Sequence, residues 1–203
     1  MFSKKLFLLA VLALALPIAA FANSSVDFGN VGGTLSGTSS GLSLSGSTLT
    51  SVNGLNGGGL ITGNLGTVIF STGALVSGSL DMGGTFAGGG SFTITGNGTN
   101  GIPNGVIFSG SFNGPVTWSL VTLADGTHNY TLTGVVTGSL QGVTTNGVTV
   151  QLTINTGKGF FNGSVTLASG DTNIEVVPEP GTLGLVGTGL LGFASMLHRR
   201  LKR

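Results

Sequence analysis

From about residue 60 onward, apolar side chains recur at every second position, separated by Thr, Ser, Asn or Gly. Val116, Trp118 and Leu120 alternate with Thr117 and Ser119, and Tyr130, Leu132 and Gly134 alternate with Thr131 and Thr133. A period of two places one set on a single side of an extended chain. No window of the region carries the spacing of an amphipathic helix. Asp125-Gly126 between the two runs predicts a hairpin turn, and Asn146-Gly147 predicts another that leads into Val148, Val150, Leu152 and Ile154. Phe161, Gly163, Val165 and Leu167 predict a further strand face after Lys158-Gly159, and residues 67–70, 92–95 and 106–112 are additional candidates. Residues 33–59 are glycine-rich and lack aromatics, so they read as a loosely ordered edge.

The expectation is an all-β body of roughly eight to eleven strands. The hairpin signals favour an antiparallel β-sandwich or barrel-like meander, with a β-solenoid as the alternative. A solenoid needs coils of near-constant length. The Gly-Ser pairs at Gly78, Gly90, Gly110, Gly138 and Gly163 hold no such period.

Both ends of the chain have a different pattern. Lys4 and Lys5 precede an apolar stretch at 6–16, Pro17 follows, and Ala20-Phe21-Ala22 supplies the small residues a signal peptidase reads. Residues 1–22 are therefore expected to be a signal peptide cleaved after Ala22. At the other end, Pro178-Glu179-Pro180 precedes an uncharged span at 181–197 and a basic cluster of Arg199, Arg200, Lys202 and Arg203. As a transmembrane helix that span rises about 25 Å, slightly less than a bilayer core of roughly 30 Å. The clustered cations favour retention on the cytoplasmic side. The expected organisation is a signal peptide at 1–22, an exported glycine-rich domain at 23–177 and a membrane-inserted tail at 178–203.

A short Pro-Glu-Pro signature, an apolar span and a basic end, in that order, resemble the PEP-CTERM sorting signal of Gram-negative, exopolysaccharide-producing bacteria. The resemblance implies that Pro178, Glu179 and Pro180 are a recognition motif for an exosortase, a membrane-embedded cysteine protease or transpeptidase. It makes the chain a substrate of that machinery, with signal peptidase, the secretion translocon and the membrane as further partners. It also implies a final location at the cell surface or in an extracellular, biofilm-type matrix, possible contact with exopolysaccharide included. It says little about the body, since the exported domains of that family are diverse.

Composition narrows what the body does. Gly accounts for 39 of 203 residues, far above the usual ~7%. Cysteine is absent, which removes thiol nucleophiles, cysteine metal sites and disulfides. Within 23–177 the charged residues are Lys158 against Asp27, Asp81, Asp125, Asp171 and Glu175, with no arginine. The formal net charge of +1 thus arises at the two ends, and the body is weakly acidic. Without a basic patch, nucleic-acid binding is not expected.

Candidate chemistry is sparse. His128 follows Asp125 in the predicted turn, but no Gly-x-Ser-x-Gly elbow supplies a nucleophile for a Ser-His-Asp set, and His128 reads as a solvated turn residue. Asp81 and Asp125 are candidates for a carboxylate pair only if the fold brings them together. Asp171 and Glu175 read as a solvated linker before the tail. Trp118 and Tyr130 suit a sugar-stacking platform if exposed, although Trp118 shares its face with Val116 and Leu120, which argues for burial. No cofactor, metal site or catalytic residue is expected. The sequence therefore points to a non-enzymatic surface or exopolysaccharide-matrix protein, with a carbohydrate-binding adhesin or an extracellular glycan-active enzyme as alternatives.

Overall fold

The computed structural model describes residues 24–176. They form thirteen strands in one antiparallel sheet, with a single 3-10 turn at Leu55–Gly57. The strands are best understood as eight long staves, several of them broken in the middle. β1 (Ser24–Val31) and β2 (Thr34–Thr38) make the first stave and β3 (Gly41–Asn53) the second. β4 (Ile61–Ser71) with β5 (Leu75–Ser79) and β6 (Gly83–Phe86) with β7 (Gly89–Asn97) make the third and fourth. β8 (Asn104–Phe112) with β9 (Val116–Thr122) is the fifth, β10 (His128–Leu140) the sixth and β11 (Val143–Asn155) the seventh. β12 (Ser164–Thr166) and β13 (Ser169–Val176) make the eighth.

Each stave pairs with the next in sequence, and the eighth returns to the first through β12–β2 and β13–β1. The result is a closed eight-stranded up-and-down barrel. The sequence left sandwich, barrel-like meander and solenoid open; closure decides for the barrel, and the antiparallel ladders overturn the solenoid. Because neighbouring staves run in opposite directions, Ser24 and Val176 lie at the same end, here called the terminal end.

The breaks within staves fall beside one another and are stitched by main-chain hydrogen bonds. Gly32 N donates to Leu167 O at 3.1 Å and Leu167 N to Gly33 O at 3.2 Å, joining the first and eighth staves. Gly73 N donates to Ala87 O at 3.1 Å and Ala87 N to Ala74 O at 2.7 Å, joining the third and fourth. Such offsets bend a strand sharply, which closing a small barrel requires. Gly33 shows why glycine is needed there. Its φ is +77°, and a Cβ would stand 2.5 Å from Ser45 O and from Ser47 N, beside the bulge of β3.

Inward positions carry the apolar set. Phe92 packs against Phe70, Phe108 and Phe112 at centroid distances of 6.3, 6.1 and 6.2 Å. Eight strands enclose just enough room for side chains to fill. Outward positions are mostly Ser, Thr, Asn and Gly, the reverse of a lipid-facing barrel with its apolar exterior band.

Three further expectations are corrected. Residues 33–59 are not a loose edge, since Leu35, Leu42, Leu44, Leu49 and Val52 are buried and β3 is one of the longest strands. Asn146-Gly147 does not turn the chain. It lies inside β11, where the register with β10 slips, so the positive φ of Gly147 (77°) serves a bulge. The turn itself is Gln141-Gly142, with φ of 48° and 87°, the two-residue geometry that suits right-twisted strands. The face expected from Phe161 to Leu167 shrinks to β12, and Phe161 plugs the barrel from a loop.

Gly33→Ala is expected to cost at least about 2 kcal/mol, because strain at positive φ adds to a backbone clash. Gly59→Ala, with nothing within 4 Å of the new methyl, is expected to stay within about 0.5 kcal/mol of the parent. Urea unfolding of the two variants checks this, and equal losses would refute the assignment of Gly33.

Candidate functional site

The sorting residues Pro178, Glu179, Pro180, Arg199, Arg200, Lys202 and Arg203, the span 181–197 and the cleavage residues Ala20 and Ala22 lie outside the described residues. No helix among the described residues is long and apolar enough to cross a membrane. What the structure does show is where the candidate residues of the body fall.

At the end of the barrel away from the termini, Trp118 and Tyr130 stack at 4.9 Å between centroids, and Phe161 meets Trp118 edge-on at 5.4 Å. Trp118 Nε1 donates to Leu80 O at 2.8 Å. The Tyr130 hydroxyl donates to Asp81 O and accepts from Phe161 N at 3.0 Å. These bonds tie the β5–β6 turn and the β11–β12 loop across the barrel mouth. Both rings are buried, Trp118 at 2% and Tyr130 at 0% exposure. A sugar-stacking platform built on them is therefore overturned.

His128 is not the solvated turn residue the sequence suggested. It opens β10, is buried, stacks on Phe160 at 4.3 Å, and pairs through Nδ1 with Thr122 Oγ1 at 2.9 Å. Asp125 instead accepts from Thr127 N at 2.9 Å, which closes its own turn. That bond, followed by the Thr127 hydroxyl, holds its carboxyl below the ordinary 3.8. Asp81 is likewise lowered, chiefly by the Ser79 hydroxyl. Asp81, Asp125 and His128 thus keep separate partners, and the two carboxyls shift away from what a general acid requires. Among the described residues no group of three or more His, Cys, Asp or Glu is arranged to hold a metal ion.

The pair that does meet was not legible in sequence. Asp171 and Glu175 are strand residues of β13 rather than a linker. Asp171 interacts with Asp27 of β1, across the seam that closes the barrel. Partial desolvation, then the Asp27 charge and a hydrogen bond with its carboxyl, push Asp171 upward. Asn53 stands opposite Asp27 and Gln151 opposite Asp171, so the row around the pair contains no cation.

The wall made by β3, β4, β7, β8 and β10 carries no Asp, Glu, Lys or Arg, although its β3 edge pairs directly with β1 of the seam. Its outward side chains form cross-strand rows. One runs Thr48, Thr67, Thr95, and another runs Thr93, Ser109, Ser139, Thr144. Ser71 and Ser91 add a hydroxyl pair at 3.2 Å. Exposed Val106 ends the first row opposite Thr95, and exposed Ile69 ends the second opposite Thr93.

Two outcomes are expected from this geometry. Tyr130→Phe leaves the buried Phe161 N–H without its acceptor and should lower stability by about 1–3 kcal/mol, read by urea unfolding, with faster exchange of that amide. For Asp171, a raised carboxyl pKa means that the folded state binds the proton more tightly than the unfolded chain. That contribution is present below 3.8 and is lost as pH rises through the raised value. Asp171→Asn should therefore raise the thermal midpoint at pH 7 and leave it nearly unchanged at pH 3. A lower midpoint at pH 7 would contradict the assignment.

Comparison with known proteins leaves the body without a counterpart, as no curated protein and no solved structure matches the chain. The tail is different. Residues 176–200 match the PEP-CTERM protein-sorting motif, a stretch that begins on the last residue of β13 and includes Pro178, Glu179, Pro180, Arg199 and Arg200. The chain therefore carries a PEP-CTERM sorting motif at the end of an all-β barrel, which implies an exported protein processed by an exosortase.

Proposed function

We propose that this protein is a non-enzymatic component of the cell surface or exopolysaccharide matrix, and that its uncharged hydroxyl wall is the surface that meets polysaccharide. The observation that carries this reading is the set of Thr and Ser rows on β3, β4, β7, β8 and β10. Hydroxyls held in register on a rigid sheet both donate and accept hydrogen bonds, and they make many weak contacts without ordering flexible side chains. The carboxylates sit elsewhere, on the β1–β13 seam and in the turns, so a glycan on the wall meets no fixed charge. The sorting motif supports the same reading, since it implies delivery out of the cell.

The test is co-sedimentation of the protein, purified from its host, with cell-free exopolysaccharide of the same culture. Retention is expected, and Thr67→Glu combined with Ser109→Glu, which stand on separate rows two strands apart, should weaken it by about tenfold or more while moving the unfolding midpoint little. Absence of co-sedimentation, or retention indifferent to the two substitutions, would overturn the assignment of the wall.

A further inference from the structure

The last strand and the sorting motif leave no spacer between them. β13 ends at Val176, where the motif match begins. Ile174 is fully buried in the core, Asn173 still pairs with Thr149 of β11, and β1 occupies the other edge of the strand. Only Glu175, Val176 and Val177 separate Ile174 from Pro178. Proteolytic enzymes hold their substrates as extended chain through free backbone groups and side-chain pockets. Through Asn173 the strand is paired on both edges, and Ile174 then buries its side chain in the core, so this stretch offers neither.

We propose that the folded barrel itself limits processing of its tail. The enzyme gains backbone upstream of Pro178 only when the end of β13 peels from β1 and β11, and Ile174 is the positioning residue that resists this. The seam is suited to such local opening. Asp27 and Asp171 bring two carboxyls together across it and repel each other once both are ionised. Strand ends that open locally without global unfolding are the expected low-stability units of a fold. The inference rests on the exosortase processing that the motif implies, and it adds a constraint that the motif does not contain. Recognition residues alone do not set the rate, because the strand ahead of them must first be released.

The experiment follows tail loss from the full chain, pulse-labelled in host membranes with and without the exosortase, by intact mass. A six-residue Gly-Ser insertion between Glu175 and Val176, which leaves the matched motif at 176–200 intact, should raise the initial rate by about tenfold or more, the factor that burial of one aliphatic side chain withholds. Ile174→Val in the parent chain should raise it by about fivefold. In the inserted chain Ile174→Val should change nothing, because the step it eases is no longer needed. An insertion that leaves the rate equal or slower, or gains that multiply in the double variant, would overturn the proposal. Tail loss that fails in both chains despite the exosortase would overturn the processing reading itself.

Discussion

Closure of the sheet is the constraint on which the rest of this structure depends. An open sheet of Gly, Ser, Thr and aliphatic residues presents bare N–H and C=O groups at its edges. Proteins usually blunt such edges with lysine, proline or inward charges. This chain has almost none of these to spend, with Lys158 the only cation between residues 23 and 177. Pairing the eighth stave with the first consumes the edge hydrogen bonds along β1 and β13, and leaves a sheet poor in charge without an open edge.

Closure with only eight staves forces strong curvature, and curvature accounts for much of the composition. A side chain at a sharp bend collides with the neighbouring backbone, so the mid-barrel breaks recruit glycine at Gly33, Gly73 and Gly88. The interior is then narrow enough that phenylalanines from adjacent staves touch across it. The mouth away from the termini is sealed differently. There Trp118 and Tyr130 contribute ring area and one polar atom each, so two crossing segments are hydrogen-bonded to the core rather than merely laid on it. The outer surface is free of these demands, and hydroxyl rows can occupy it.

What could be read from the chain follows the range of each physical signal. Period-two alternation is local, so the strands around Trp118, Tyr130 and Leu152 were visible, as was the Asp125-Gly126 turn between two of them. The sorting signature is linear and was read from Pro178-Glu179-Pro180 with the apolar and basic stretches behind it. Signals that depend on distant partners were not accessible. Nothing near Asp171 announces Asp27, and the stretch at 33–59 read as a loosely ordered edge from its glycines and lack of aromatics, because the strands that bury its leucines lie elsewhere along the chain. Asn146-Gly147 shows a subtler limit. The residue pair correctly indicates positive φ, but a bulge and a turn share that requirement, and only pairing with β10 distinguishes them.

The position of the seam also orders events during export. β1 is the first part of the barrel to emerge and β13 the last, so the closing contacts span nearly the whole domain and form after all other staves are available. Long-range pairing of this kind is entropically late. Until β13 arrives, β1 and β11 are both exposed edges, the state in which association with other chains is most probable. A membrane-inserted tail directly behind β13 would hold the chain at the translocation site through that interval. On the proposal made above, the strand that finishes the fold is also the one that restrains processing, so tail loss is unrestrained before β13 pairs and slows once the barrel has closed.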